Sequence, residues 1–298
     1  MRGTFDIDGF LAAYDKVMAK WPAEREAVTV PTPFGVAYVN ACGPRNAPAV
    51  VLLPGGGGAT SASWYAQAAD LARTHRVLAV DLPGCAGRGT EAGDRHPRTV
   101  ADLVVWLDAV LDGLGIDETD LGGHSYGGRL ALHHALHAPA RVRRLVLLDP
   151  TTCFTGFRPA YLLRALPLVL RPTPRRARAF LEWETGGAPL DPDWLRLQEA
   201  AAGFPSVSKP VTGPRPAPDA LRALDMPVLL FLAENSRTLP HSRLRSSGGT
   251  PNTYEVAESA NALLPHVETV VLPDVSHHML PQSAPVELGR RLTEFLNP

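Results

Sequence analysis

Asp120-Leu-Gly-Gly-His-Ser-Tyr-Gly-Gly128 is the stretch on which the rest of the chain hangs. Inside it Gly123-His124-Ser125-Tyr126-Gly127 fits G-x-S-x-G, a turn in which a strand reverses into a helix within a few residues. Such a turn holds its serine in a strained, positive-φ conformation with the hydroxyl projecting from the sheet. Residues two before and two after the serine then pass close together, so only small ones fit. Gly123 and Gly127 meet that demand, and Gly128 lets the following helix approach the sheet. The pattern alone is short enough to arise by chance, so its flanks must agree with it. Before it, Leu103, Val104, Leu107, Val110, Leu111 and Leu114 recur at helical spacing over 100–114. After it, residues 129–136 read as a helix that stops before Pro139. Helix, strand, turn and helix follow in the required order.

Working outward toward the N-terminus, residues 46–53 are a continuous apolar run, as expected of a strand buried on both faces, and residues 75–81 read as the next buried strand. A helix is predicted between them at 63–74, and residues 82–89 form a loop by composition. Pro54-Gly-Gly-Gly-Gly58 follows the earlier strand directly. Two alternating runs, 27–30 and 36–39, split by Pro-Thr-Pro-Phe-Gly, predict a hairpin. Residues 5–21 place Ile7, Phe10, Leu11, Tyr14, Val17, Met18 and Trp21 on one helical face, which must dock on something.

Toward the C-terminus, 144–149 is another strand, and then the rhythm breaks near Pro150. Residues 153–223 hold helix-like material (160–170, 175–184, 193–202) with many prolines and no convincing strand. That is too long for a plain loop and reads as an inserted helical cap. The pattern returns with a strand at 226–232, a helix near 253–264, a strand at 267–272, a loop at 274–280 and a closing helix over 285–296. The fold class is therefore α/β, a mostly parallel central sheet with helices on both faces plus an inserted helical cap. The expected organisation is an N-terminal helix (1–26), a first core part (27–152), the cap (153–223) and a second core part (224–298).

The 298 residues suffice for a substantial core, and 29 basic against 30 acidic residues argue for neither a nucleic-acid nor a membrane partner. Cys42, Cys85 and Cys153 are odd in number and widely spaced, which fits a reducing compartment. The first eight residues are acidic where a signal peptide would be basic and then apolar, so a cytoplasmic location is expected.

In these residues the chain resembles the α/β-hydrolases of the capped serine esterase, thioesterase and haloperoxidase-like kind, over about 27–150 and 224–298. The resemblance implies that Ser125 is the nucleophile and that a histidine after the last strand is its base. Pro273-Asp-Val-Ser-His277 puts His277 in that place, with His278 as rival. It also implies an oxyanion hole made by the N–H groups of Tyr126 and Gly56, the latter in a family His-Gly-x motif whose histidine is here Pro54. The family's usual acid position, in Ala233-Glu-Asn-Ser-Arg-Thr-Leu-Pro240, holds Ser236, which cannot neutralise an imidazolium. Asp149 at the end of the 144–148 strand is the leading replacement. Glu234, Asp274 and a site lacking any acid are the alternatives.

Other chemistry-bearing residues have plainer readings. His133, His134 and His137 include an i, i+4 pair without an evident third ligand, so they read as packing or surface histidines. Asp81 is expected to anchor its loop. Arg164, Arg171, Arg175, Arg176 and Arg178 read as a solvated helix face, with an acidic substrate or a carrier-protein face as the functional alternative. Tyr126, Trp64 and Tyr65 fit an acyl pocket or core packing equally well.

The resemblance calls for no cofactor or metal. It implies a small-molecule acyl substrate, with a carrier protein or a second copy of the chain as candidate partners. Hydrolysis of an ester or thioester is the first expectation. Acyl transfer, lactone formation or cyclisation is the second. Ser236 and Pro54 also leave open a binding protein on the same fold.

Overall fold

Strands that are apolar on both faces need cover on both faces, and β3 (Ala49–Leu53) shows how this chain supplies it. Val51 and Leu53 enter one core cluster, whereas Val50 and Leu52 enter the other. This is a computed structural model describing residues 5–91, 95–205, 210–239, 253–282 and 286–297. Met1–Thr4, Pro240 and Pro285, which figure in the readings above, lie outside those residues, as do residues 206–209 of the expected cap.

The chain begins with α1 (Ile7–Met18) and the hairpin β1 (Arg25–Thr32) and β2 (Gly35–Cys42), paired with Val28 opposite Val39. After β3 come α2 (Tyr65–Leu71), β4 (Arg76–Val80), β5 (Thr90–Glu91), α3 (Val100–Gly113), β6 (Thr119–His124), α4 (Tyr126–His137) and β7 (Val142–Leu148). Then follow α5 (Pro159–Leu170), α6 (Pro174–Glu184), α7 (Pro192–Ala201) and α8 (Pro218–Arg222) without an intervening strand. The chain closes with β8 (Val228–Ala233), α9 (Thr253–Leu263), β9 (Val267–Leu272) and α10 (Val286–Leu296).

The sheet order is β1-β2-β4-β3-β6-β7-β8-β9, antiparallel at β1–β2 and β2–β4 and parallel from β4 to β9. Successive strands leave β3 on opposite sides, with β4 beside one edge and β6 beside the other. The loops after β3 and β6 therefore diverge and open a crevice at their carboxyl ends, where ligands of such sheets sit.

Three details differ from the sequence reading. The helix predicted at 63–74 is a 3₁₀ turn at Ser61–Trp64 followed by α2, which ends early because Arg73 N and Thr74 N donate to Asp70 O and Leu71 O in tight turns. β5, two residues long and antiparallel to β2, is too short to leave a periodic signal. The helix α8 lies in a proline-rich stretch that had no helical reading.

α1 docks through Phe10, Tyr14, Val17 and Met18, all buried. Its Tyr14 joins a buried knot with Asp81, whose carboxylate accepts from Ser61 N (2.8 Å), Ser61 Oγ (2.6 Å) and Arg88 N (2.8 Å). Burial pushes the Asp81 carboxyl up. The knot ties the loops after β3 and β4 to α1. Among the described residues no helix is long and apolar enough to cross a membrane.

Candidate active site

Ser125 sits between β6 and α4 with φ 54° and ψ −114°, the strained corner that the small residues around it permit. A Cβ added at Gly123 would overlap the Gly127 carbonyl, and one at Gly127 would overlap the Pro54 carbonyl. The corner is pinned by Ser125 N donating to Leu148 O (2.9 Å), and by Arg129 N (3.0 Å) and Thr151 N (3.2 Å) donating to Ser125 O. Backbone atoms cannot move aside as a side-chain tip can. Gly123→Ala is accordingly expected to destabilise the fold by about 4 kcal/mol or more, the range of severe core strain, measured by urea unfolding or seen as loss of soluble protein.

At the same corner Gly56 packs against Tyr126, whose Cβ would lie 3.3 Å from a Cβ built on Gly56. The Tyr126 N–H is the first of α4 and has no carbonyl four residues back to bond within the helix.

β8 and β9 are parallel neighbours, so the loops following them emerge on the same side as Ser125. His277 opens a 3₁₀ turn after β9, and its Nε2 lies 2.8 Å from Ser125 Oγ. Its Nδ1 lies 2.6 Å from Asp149 Oδ2, with both side chains buried. Asp149 reaches this place because β7 pairs in parallel with β8 (Leu148 opposite Phe231), and because it adopts φ 43° just beyond the strand while donating its N–H to Phe231 O. Ser236, at the family's usual acid position, donates from Oγ to that same Asp149 Oδ2 (2.7 Å) and lies 2.6 Å from Thr238 Oγ1. The serine thus supports a carboxylate arriving from the neighbouring strand.

The other acid candidates lie elsewhere. Glu234 accepts from Tyr254 OH (2.8 Å) at the surface, and Asp274 is exposed at φ 57°. His278, the rival base, turns its ring toward Phe180 and lies 3.2 Å from Glu184.

His124 is buried against His277, its Nε2 2.9 Å from the His277 carbonyl. A carbonyl only accepts, so Nε2 carries the proton. Burial first, and the neighbouring His277 and His278 next, hold this ring well below the usual imidazole range. His133, His134 and His137 do not converge: His134 contacts Asp108 (2.9 Å) and His137 contacts the His133 carbonyl (2.7 Å). No group of three or more potential metal-ligating side chains occurs among the described residues.

Sequence reasoning missed Glu184. It ends α6, is fully buried, and accepts from Ser276 Oγ (2.9 Å), His277 N (3.2 Å) and His278 N (3.2 Å), with Arg237 N at 3.4 Å. Burial pushes this carboxyl up, but the contacts with His278, reinforced by His277, outweigh it and hold the group at about 2. A signal was present: Ala177, Phe180, Leu181 and Glu184 fall at i, i+3, i+4 and i+7, which puts an acid on the apolar stripe of its helix.

A glutamine there would present an NH2 to a ring of donors. Because the folded carboxyl titrates below its ordinary value, its stabilisation is fully present above pH ~4.5 and is lost as pH falls toward ~2. Glu184→Gln is therefore expected to lose on the order of 3 kcal/mol at neutral pH. The gap to wild type should narrow in urea titrations as the pH is lowered through that window.

Above Ser125 lies a cavity of about 870 Å³, lined mainly by apolar side chains that include Phe157, Tyr161, Leu168, Phe180, Leu181 and Trp194. Of the aromatic residues considered for a pocket, Tyr126 lines it, whereas Trp64 is fully buried in the core. Tyr65 packs at the edge of that core.

A mostly parallel sheet with this strand order, a strained serine at its crevice and a histidine–carboxylate pair beside it define a class, and comparison with known proteins agrees. The sequence profile of the alpha/beta hydrolase family matches residues 50–290, and the chain belongs to that family. It is 28% identical to carboxylesterase YbfK of Bacillus subtilis, across 96% of this chain and 93% of that protein. The crystal structure of that carboxylesterase, CesB (YbfK), superposes with a TM-score of 0.86 over 98% of this chain and 99% of the other. The chain is also 30% identical to a pimeloyl-[acyl-carrier protein] methyl ester esterase of Yersinia enterocolitica, across 80% of this chain and 90% of that protein.

Proposed function

We propose that this enzyme hydrolyses carboxylic esters through Ser125. The observation that carries the reading is the continuous chain of contacts Ser125 Oγ–His277 Nε2 (2.8 Å) and His277 Nδ1–Asp149 Oδ2 (2.6 Å). Relatives named as ester hydrolases along nearly their whole length support it.

In this mechanism His277 Nε2 takes the proton of Ser125 as Oγ attacks the ester carbonyl. Asp149 fixes the Nδ1–H tautomer and balances the imidazolium that forms. The N–H groups of Gly56 and Tyr126 hold the developing oxyanion, the latter aided by the positive end of α4. Collapse expels the alcohol, which receives the proton from His277. Water, deprotonated by the same imidazole, then cleaves the acyl-serine to the acid.

The helices α5–α8 act as a cap whose inner side chains complete the cavity. An apolar lining of that size suits an aliphatic or aromatic acyl group rather than a charged one.

Steady-state hydrolysis of p-nitrophenyl acetate, butyrate and octanoate tests the reading. Turnover by wild type and none above background by Ser125→Ala is the expected result. Full activity in Ser125→Ala, or a folded wild type inert to every ester, overturns it.

A further inference from the structure

The helix α5 buries none of its residues. Leu162, Leu163, Leu166, Val169 and Leu170 are 46 to 72% exposed, half of the large apolar side chains exposed on the described chain. They fall at i, i+1, i+4, i+7 and i+8, which gathers them into one outward stripe. Scattered exposed leucines need no explanation, but a contiguous stripe does. The opposite face meets the molecule through Tyr161, Ala165 and Leu168, which line the cavity above Ser125 together with Val169 at the edge of the stripe.

Charge along this segment of the chain has one sign. Residues 150–181 contain Arg158, Arg164, Arg171, Arg175, Arg176 and Arg178 and no acidic residue, in a chain whose net charge is −1. Arg178 is paired with Glu199 (2.5 Å), and Arg176 donates to the Pro167 and Arg171 carbonyls. Arg164 lies over the Trp183 ring, on the side of α5 turned away from the stripe. Arg171 follows Leu170 at the C-terminal end of α5, and Arg175 lies in the first turn of α6. Both are exposed without an acidic partner among the described residues.

We propose that α5 is an interfacial helix that docks the enzyme on an anionic lipid surface. An apolar stripe with uncompensated arginines at its C-terminal end can insert between acyl chains while meeting anionic headgroups. Pairing of two copies through this face would instead bring the arginines of both together with no acid between residues 150 and 181 to offset them. The near-neutral whole-chain charge, which argued against a membrane partner, hides this local concentration. The consequence for substrate rests on the ester-hydrolase reading: docking sets the mouth of the apolar cavity at the lipid boundary, where esters with a long acyl chain concentrate.

Co-sedimentation of the full chain with vesicles of phosphatidylglycerol and phosphatidylcholine, against vesicles of phosphatidylcholine alone, tests the docking. Sedimentation velocity without lipid and hydrolysis of p-nitrophenyl acetate run alongside. Wild type is expected to bind the anionic vesicles and to be released by salt. Leu163→Asp/Leu170→Asp, and separately Arg171→Glu/Arg175→Glu, should each weaken binding about tenfold or more, with hydrolysis of the soluble acetate kept.

The proposal is overturned if wild type ignores anionic vesicles, which returns the face to an acidic protein partner. It is equally overturned if binding survives both pairs of substitutions, or if a lipid-free dimer is found that the aspartates dissolve. Because sedimentation reads no catalysis, loss of the esterase reading would show separately in the acetate assay.

Discussion

His277→Ala is expected to lower kcat/KM for ester hydrolysis by about 10⁶, the scale seen when the base of a serine triad is removed. The size follows from the site. Among the described residues no other base contacts Ser125 Oγ, since the ring of His278 is held toward Phe180 and Glu184 and that of His124 is spent on the His277 carbonyl. What survives is the contribution of binding and of the proposed oxyanion donors, which needs no base. KM should change little, because His277 is buried behind Ser125 and outside the apolar lining. Steady-state kinetics, with a thermal melt to verify folding, measures this. A loss below about a hundredfold would mean that another group takes the proton.

Asp149→Asn is expected to lower kcat by about 10⁴. The carboxylate accepts from His277 Nδ1 and from Ser236 Oγ on the same oxygen. An asparagine can turn its NH2 toward the imidazole, making Nδ1 the acceptor and leaving the proton on Nε2, where it blocks transfer from Ser125. Ser236 cannot compensate, because a hydroxyl carries no charge to balance the imidazolium. Glu234→Gln, by contrast, should leave kcat within about twofold, as a surface substitution away from the site. A reversed ranking of these two variants in the same assay would show that the acid has been misplaced.

The difference between Asp149 and Ser236 shows what the sequence carried and where it stopped. Ser125 was legible because the glycines around it are demanded by a local backbone corner, and the sheet was legible because strands covered on both faces are continuously apolar. His277 was legible only through its register after the last strand, in likeness to a family. The partner of that histidine was left open among Asp149, Glu234, Asp274 and none. The choice depends on β7 and β8 lying side by side, and the two positions are 87 residues apart in the chain.

Glu184 was overlooked for a related reason. Three of its partners are the backbone amides of Arg237, His277 and His278, and an amide leaves no trace in residue type. The outward stripe of α5 was equally hidden, because a run of leucines in a helix reads first as core, and only the fold reveals which of them face out.

The central claim is that Ser125 is a nucleophile activated by its neighbours, and covalent capture tests it most directly. Intact mass would be recorded after incubating wild type and Ser125→Ala with a fluorophosphonate probe. One adduct on wild type, mapped to Ser125 and absent from the variant, is the predicted result. A folded wild-type protein that takes up no probe, or an adduct that persists in Ser125→Ala, would contradict the account.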